Sequence, residues 1–138
     1  MGAPGQRQHD WNHLRLWQAL GWTLLLIVIS LSLLPLPHSG IDVPQGDKWM
    51  HLLAYASLAL CFGQWARDQR QRIIQGCGLV ALGATLEWLQ GLTGYRQSDP
   101  LDLYANTAGV LLGAALALGP AGRILSRIDA RLPSGRRT

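Results

Sequence analysis

The chain has 138 residues, a length that allows one domain. Hydrophobic residues make up 49% of it and charged residues only 14%, against about 25% charged in an ordinary soluble domain. The formal net charge is +4, but no aromatic residues or helix motifs interleave with the basic residues, so no nucleic-acid partner is expected. Two cysteines, Cys61 and Cys77, are too few for a disulfide framework. Composition therefore favours a protein whose main partner is the lipid bilayer.

Four apolar runs predict four transmembrane helices, at about residues 17–34, 49–66, 73–92 and 102–118. A signal peptide is the alternative for the first run, because Arg7 and Arg15 precede it. No small-x-small cleavage site follows, and Pro35 and Pro37 end the run as a helix. The expected fold is therefore all-α, a polytopic membrane bundle of four transmembrane helices within residues 17–119.

Two polar tails flank this expected bundle. Residues 1–16 form the N-terminal tail, and residues 120–138 form a basic C-terminal tail. Isoleucine and leucine recur among the arginines of the C-terminal tail, a pattern that predicts an amphipathic helix on the membrane surface. Lysine and arginine concentrate in the tails and in the 67–72 connection. The positive-inside rule then predicts that both termini lie in the cytoplasm.

Polar side chains gather at the opposite end of helices two, three and four. Ionisable groups at the edge of a membrane span are costly to bury and by default mark a functional site. Since the three helices bring them to one level, we expect them to share a pocket on the extracytoplasmic side. They are Asp47, Lys48, His51 and Tyr55 on the second helix, Glu87 and Gln90 on the third, and Arg96, Asp99, Asp102 and Asn106 before and within the fourth.

The order and spacing of these residues resemble the VanZ-like family of small bacterial membrane proteins. The matching pattern is D-K-x-x-H-x-x-x-Y, then E-x-x-Q, then R-x-x-D-x-x-D-x-x-x-N-x-x-G, over about residues 45–118. The first helix and the basic tail show no matching motif. The resemblance implies a multi-pass protein of the bacterial cytoplasmic (inner) membrane and cell envelope. It also implies a link to antibiotic resistance, because the founding member is associated with low-level resistance to the glycopeptide teicoplanin.

Two functions are open for the predicted pocket. A binding site would hold a lipid headgroup, a cell-wall precursor or a lipoglycopeptide. An enzyme would act on a phospholipid or polyprenyl-linked substrate, with acid–base catalysis and cationic stabilisation of a phosphate-like transition state. The catalytic candidates are His51, Glu87, Asp99 and Asp102, and the ligand-binding candidates are Asp47, Lys48, Tyr55, Gln90, Arg96 and Asn106.

Binding is the first hypothesis, because no serine or cysteine nucleophile is placed beside a base. No cofactor is expected; His and carboxylates can hold a divalent metal, but no HExxH-type motif supports a metal site. A transporter is disfavoured, since the inner halves of the helices carry almost no polar side chains. For several of the candidate site residues, a purely structural role is the alternative to a role in function.

Among these structural alternatives, Asp47 and Asp99 are N-cap candidates, and Glu87 can form an ion pair with Arg96. The amides of Gln90 and Asn106 can join helices by hydrogen bonds. Small residues recur every four positions in the fourth helix and predict close packing on a neighbouring helix. They are Ala105, Gly109, Gly113 and Ala117.

Overall fold

The computed structural model describes residues 11–34, 45–94 and 99–133. These residues form five α-helices and include no β-strand, which confirms the all-α fold class. The first four helices begin two to four residues before the predicted starts at 17, 49, 73 and 102. The helices are α1 (Leu14–Leu33), α2 (Gly46–Gln64), α3 (Gln69–Leu92), α4 (Pro100–Leu118) and α5 (Pro120–Arg131).

Aspartate side chains cap the starts of α3 and α4. The carboxylate of Asp99 accepts a hydrogen bond from the backbone N–H of Leu101 at 2.9 Å, and proline follows at the first helical position, as predicted. Asp68 accepts from the backbone N–H of Gln71 at 2.7 Å. This second cap explains why α3 begins inside a stretch that we expected to be a loop.

The start of α2 differs from the expectation that Asp47 caps it. The N-cap is Gln45, whose backbone is left-handed with φ 57°, and its side chain makes no capping hydrogen bond. Asp47 lies in the first turn instead. Its negative charge there still complements the positive end of the helix dipole, so the position is favourable without a cap.

The most extensive helix contact joins α2 to α4, and small residues make it possible. A Cβ atom at Gly109 would overlap the carbonyl oxygen of Leu52, and one at Gly113 would overlap that of Ala56. Further along the interface, Gly63 lies against the methyl group of Ala117. The predicted small-residue stripe of α4 therefore packs directly on the backbone of α2.

The remaining long helices pack around this pair. The indole ring of Trp65 covers Gly21 of α1, and Trp22 and Phe62 make an edge-to-face contact with ring centroids 5.2 Å apart. Such aromatic pairs add stability beyond the area that they bury. The buried apolar core lies between the four long helices and consists of Val28, Tyr55, Leu58, Ala59, Phe62, Leu79 and Val110.

Among the described helices, α1 and α4 are long and apolar enough to cross a membrane. This result rests on length and composition alone, and a signal sequence near the N-terminus, where α1 lies, or the core helix of a soluble protein passes the same test. A core helix would be mostly buried. Here only 11% of the apolar window of α1 and 28% of that of α4 is buried within the protein. The other two long helices, α2 and α3, which carry polar residues of the predicted pocket, do not meet the same criterion. The described helices therefore include two possible spans, and the expected four-span bundle is not confirmed.

Candidate functional site

Lys48 lies at the centre of a cluster of charged side chains at one end of the bundle. Its ammonium group donates a hydrogen bond to Asp99 at 2.7 Å and pairs with Asp102 at 3.5 Å. It also contacts the more exposed carboxylate of Asp47 at 3.3 Å. The bond from Lys48, together with the backbone N–H of Leu101, holds the pKa of Asp99 below its usual value.

His51 lies one turn deeper in α2 and is held between two polar groups of α4. Its Nδ1 atom is 3.0 Å from Oδ1 of Asn106, and its Nε2 atom is 3.5 Å from Oδ2 of Asp102. Since Asp102 also pairs with Lys48, one buried carboxylate connects the imidazole to the ammonium group. Asp102 and Asn106 are four residues apart, and this spacing places both on the face of α4 that meets α2.

Glu87 joins the cluster from α3, although it is buried. Its Oε1 atom accepts a hydrogen bond from the backbone N–H of Asp99 at 2.6 Å, so α3 contributes to the turn that starts α4. Its Oε2 atom is buried and has no hydrogen-bond partner within the described part of the chain. Arg96, the predicted partner of Glu87, lies outside the described residues. The carboxylate therefore combines a structural contact with an unused acceptor.

Tyr55 and Asn106 lie below this cluster and are both almost fully buried. The position of Gly83 on α3 explains how they fit, because a Cβ atom there would come within 2.9 Å of Nδ2 of Asn106. It would also come within 3.2 Å of the Tyr55 hydroxyl. The absence of a side chain at Gly83 lets three helices bring their polar groups to the same depth.

Gln90 belongs to a different contact. Its amide donates a hydrogen bond to the backbone carbonyl of Ser32 at 2.7 Å and so joins α3 to the end of α1. This geometry agrees with the helix-joining alternative for Gln90. The structure thus brings together most of the predicted site residues: Asp47, Lys48, His51, Tyr55, Glu87, Asp99, Asp102 and Asn106.

The described part of this cluster is rich in carboxylates. Four of them, from Asp47, Glu87, Asp99 and Asp102, accompany a single lysine. Within the described ranges, no group of three His, Cys, Asp or Glu side chains could hold a metal ion. Among the described residues, Oε2 of Glu87 is buried with no hydrogen-bond partner, and Oδ1 of Asp102 makes no hydrogen bond but lies 3.5 Å from the ammonium group of Lys48. The arrangement therefore offers acceptors to a ligand that brings its own hydrogen-bond donors.

A second polar centre, at the opposite end of the bundle, was missed in the sequence. The carboxylate of Asp129 accepts hydrogen bonds from the backbone N–H groups of Asn12 at 2.6 Å and His13 at 3.0 Å. It also accepts from the indole N–H of Trp17 at 2.9 Å. The one available signal is a single acidic residue on an otherwise basic helix, which does not identify partners more than 100 positions away.

A small cavity of about 30 Å³ also lies towards this second end, between α2, α3 and α4. Its wall is mainly apolar, and it has room for about one water molecule. Arg72 and Gln75 line it, and the Nε atom of the first and the Oε1 atom of the second are buried without a hydrogen bond to any described residue. The inner halves of the helices are thus less uniformly apolar than the sequence predicted.

Comparison of the chain with protein-family models, curated proteins and solved structures found no match.

Proposed function

We propose that this chain is a VanZ-like protein of the bacterial cytoplasmic membrane. In this proposal, the Lys48 cluster binds the polar headgroup of an envelope molecule at the extracytoplasmic end. The candidate ligands are a membrane lipid, a cell-wall precursor and a lipoglycopeptide of the teicoplanin type. Both termini and the 65–68 connection lie on the cytoplasmic side.

The distribution of apolar surface supports a four-span arrangement. The outward faces of α2 and α3 expose large apolar side chains, including Met50, Leu53 and Ile74. Exposed apolar surface on this scale suits lipid better than water. At 1.5 Å per residue, α2 is about 28 Å long and α3 about 36 Å, close to or above the hydrocarbon thickness of about 30 Å. Lys48 and His51 of α2 and Glu87 of α3 contact α4 or its N-cap and are thereby screened from lipid.

The single observation that carries the binding function is the buried Oε2 atom of Glu87, which has no hydrogen-bond partner among the described residues. Leaving a buried acceptor unsatisfied costs about 1–3 kcal/mol, and a ligand that donates a hydrogen bond to it removes this cost. Amine and hydroxyl groups are such donors. They occur in all three candidate ligand classes, whereas a bare phosphate brings mainly acceptors.

The substitution Glu87→Gln tests whether a ligand donates a hydrogen bond to Oε2 of Glu87. Glutamine keeps an oxygen that can accept from Asp99 but replaces the unused acceptor with an N–H donor. We expect the purified variant to retain about tenfold less co-purifying amine- or sugar-bearing amphiphile, measured by mass spectrometry of the extracted lipid. Expression of the wild type, but not of the variant, is expected to lower the susceptibility of a bacterial host to teicoplanin.

Asp47→Asn is the matched control, because it makes the same chemical change at the same end on a half-exposed side chain. It is expected to retain the amphiphile. If both variants and the wild type carry the same lipids and confer the same susceptibility, the binding function is wrong.

An enzyme is the second candidate, and the environment of His51 favours it. The Nδ1 atom of the imidazole is held by the amide oxygen of Asn106 at 3.0 Å, which leaves Nε2, 3.5 Å from Asp102, as the nitrogen that would exchange a proton with a substrate. A phospholipid or polyprenyl-linked substrate would then react at His51 and Glu87, with Arg96 as the cationic group. Incubation of the purified protein with a lipid extract separates the two functions. Product formation that His51→Ala abolishes, while the amphiphile remains bound, would indicate the enzyme.

A further inference from the structure

The C-terminal helix α5 presents two exposed rows of side chains with opposite character. Arg123, Arg127 and Arg131 recur every four residues and are all exposed. Ile124 and Ile128 form the neighbouring row and are 53% and 43% exposed. A helix with a basic row beside an apolar row, and low hydrophobicity overall, is typical of helices that lie in a membrane interface.

The opposite face of α5 is attached to the bundle, so the orientation of the exposed face is determined. A Cβ atom at Gly122 would overlap the carbonyl oxygen of Ala117 at the end of α4. Asp129, which is 2% exposed, accepts the hydrogen bonds from the N-terminal segment. The only carboxylate of α5 is therefore turned inwards, and its exposed face carries basic charge alone.

The arginines of α5 have no acidic partner in the described part of the chain, where every ion pair uses a lysine or a histidine. Arg67 and Arg70, in and beside the connection between α2 and α3, are exposed at the same end. At the other end, Lys48 is fully engaged by carboxylates. Among the described residues, unpaired cationic charge is thus concentrated at the end where α5 lies.

We propose that the exposed face of α5 binds anionic phospholipid headgroups of the cytoplasmic leaflet. The guanidinium groups of Arg123, Arg127 and Arg131 would hold lipid phosphates, for which their planar donors are well shaped. The side chains of Ile124 and Ile128 would enter the headgroup–acyl boundary. This inference rests on the membrane location proposed above, but it concerns a surface distinct from the Lys48 cluster.

The experiment compares two lipids with identical acyl chains, dioleoylphosphatidylglycerol and dioleoylphosphatidylcholine, added to the full chain in a nonionic detergent. Native mass spectrometry measures the apparent dissociation constant of each. We expect the anionic lipid to bind at least about tenfold more tightly, and this preference to weaken as salt is added. Arg123→Gln combined with Arg127→Gln is expected to reduce the preference about tenfold or more.

Two variants serve as controls. Arg67→Gln with Arg70→Gln removes the same charge at the same end but away from α5, and it is expected to keep most of the preference. Arg123→Lys with Arg127→Lys keeps the charge and is expected to retain selectivity for the anionic lipid. All the changed side chains are exposed, so circular dichroism and the unfolding temperature are expected to stay as in the wild type.

Equal affinity for the two lipids, or a larger loss in the Arg67/Arg70 variant than in the α5 variant, would overturn the proposal. So would tighter binding of a short single-stranded oligonucleotide than of the anionic lipid, because the surface would then be a general polyanion site. A protein that remains in solution without detergent contradicts the membrane location as well. A protein that needs detergent but shows no lipid preference contradicts this inference alone.

Discussion

Asp129 illustrates how the environment of one residue controls its charge. Burial alone would raise the pKa of its carboxyl group, but hydrogen bonds from Trp17, Asn12 and His13 outweigh burial and hold the pKa below its usual value. The ionised carboxylate therefore stabilises the contact between α5 and the segment before α1. Because this pKa is lower in the folded state, the stabilisation is complete above the unfolded-state pKa of about 3.9.

Asp129→Asn is expected to destabilise the protein by roughly 1–3 kcal/mol, because the amide offers one acceptor oxygen to several N–H donors. Thermal unfolding in detergent measures the loss. The wild type is expected to lose this stability as the pH falls below about 4 and through the folded-state pKa, while the variant lacks that part of the pH dependence. Ser126→Ala is the control, since this buried hydroxyl donates its hydrogen bond within α5, to the carbonyl of Arg123. Equal unfolding temperatures for Asp129→Asn and the wild type would contradict the role of the carboxylate.

Between helices, the decisive feature is the close approach of α2 and α4. This approach places His51 within reach of Asn106 and Asp102, so packing and site geometry depend on the same small residues. The stripe of small residues was visible in the sequence, because it repeats every four positions. The sequence did not show which helix the stripe would contact, because every apolar helix offers a surface on which such a stripe can pack.

Gly113→Ala tests the close approach. The added methyl group would overlap the carbonyl oxygen of Ala56, and backbone atoms cannot move aside cheaply. We expect a loss of about 1–3 kcal/mol in unfolding free energy, typical of overpacking. Gly78→Ala on α3 is the matched control, because nothing lies within 4 Å of its added methyl group. The control is expected to be neutral or more stable by up to about 1 kcal/mol, owing to helix propensity. A Gly113→Ala variant as stable as the control would rule out this packing.

At the scale of the whole molecule, the two ends of the described bundle differ in charge. One end gathers carboxylates around Lys48, and the other carries the exposed arginines of α5 and of the connection after α2. From this difference, the positive-inside rule predicts the orientation of the proposed four-span bundle in the membrane. It places Thr93 outside the cell and Gln69 inside it.

Cysteine labelling measures that orientation. In a background that carries Cys61→Ser and Cys77→Ser, Thr93→Cys is expected to react with a membrane-impermeant maleimide applied to intact spheroplasts. Gln69→Cys is expected to react only after the cells are opened. Labelling of both positions, or of Gln69→Cys alone, from outside would contradict the four-span orientation.

Most of what the sequence by itself determined came from patterns among residues that are close together in the chain. The helix positions, the Asp99 cap and the gathering of polar residues near one end all depend on residues within a turn or two of each other. Apolar runs and capping residues act over that distance, so they can be identified without knowing the fold. The first-turn position of Asp47 escaped prediction, because a left-handed Gln45 starts α2 without a side-chain cap.

Tertiary structure alone decided which polar groups became partners. Glu87 contacts the backbone of Asp99, Gln90 reaches α1, and Asp129 joins the two terminal segments. Each of these bonds depends on how helices far apart in sequence pack. The local sequence around a carboxylate or amide does not indicate which distant group will be its hydrogen-bond partner. Burial then makes the pairing obligatory, because a polar group removed from water must find a partner in the fold or in a ligand.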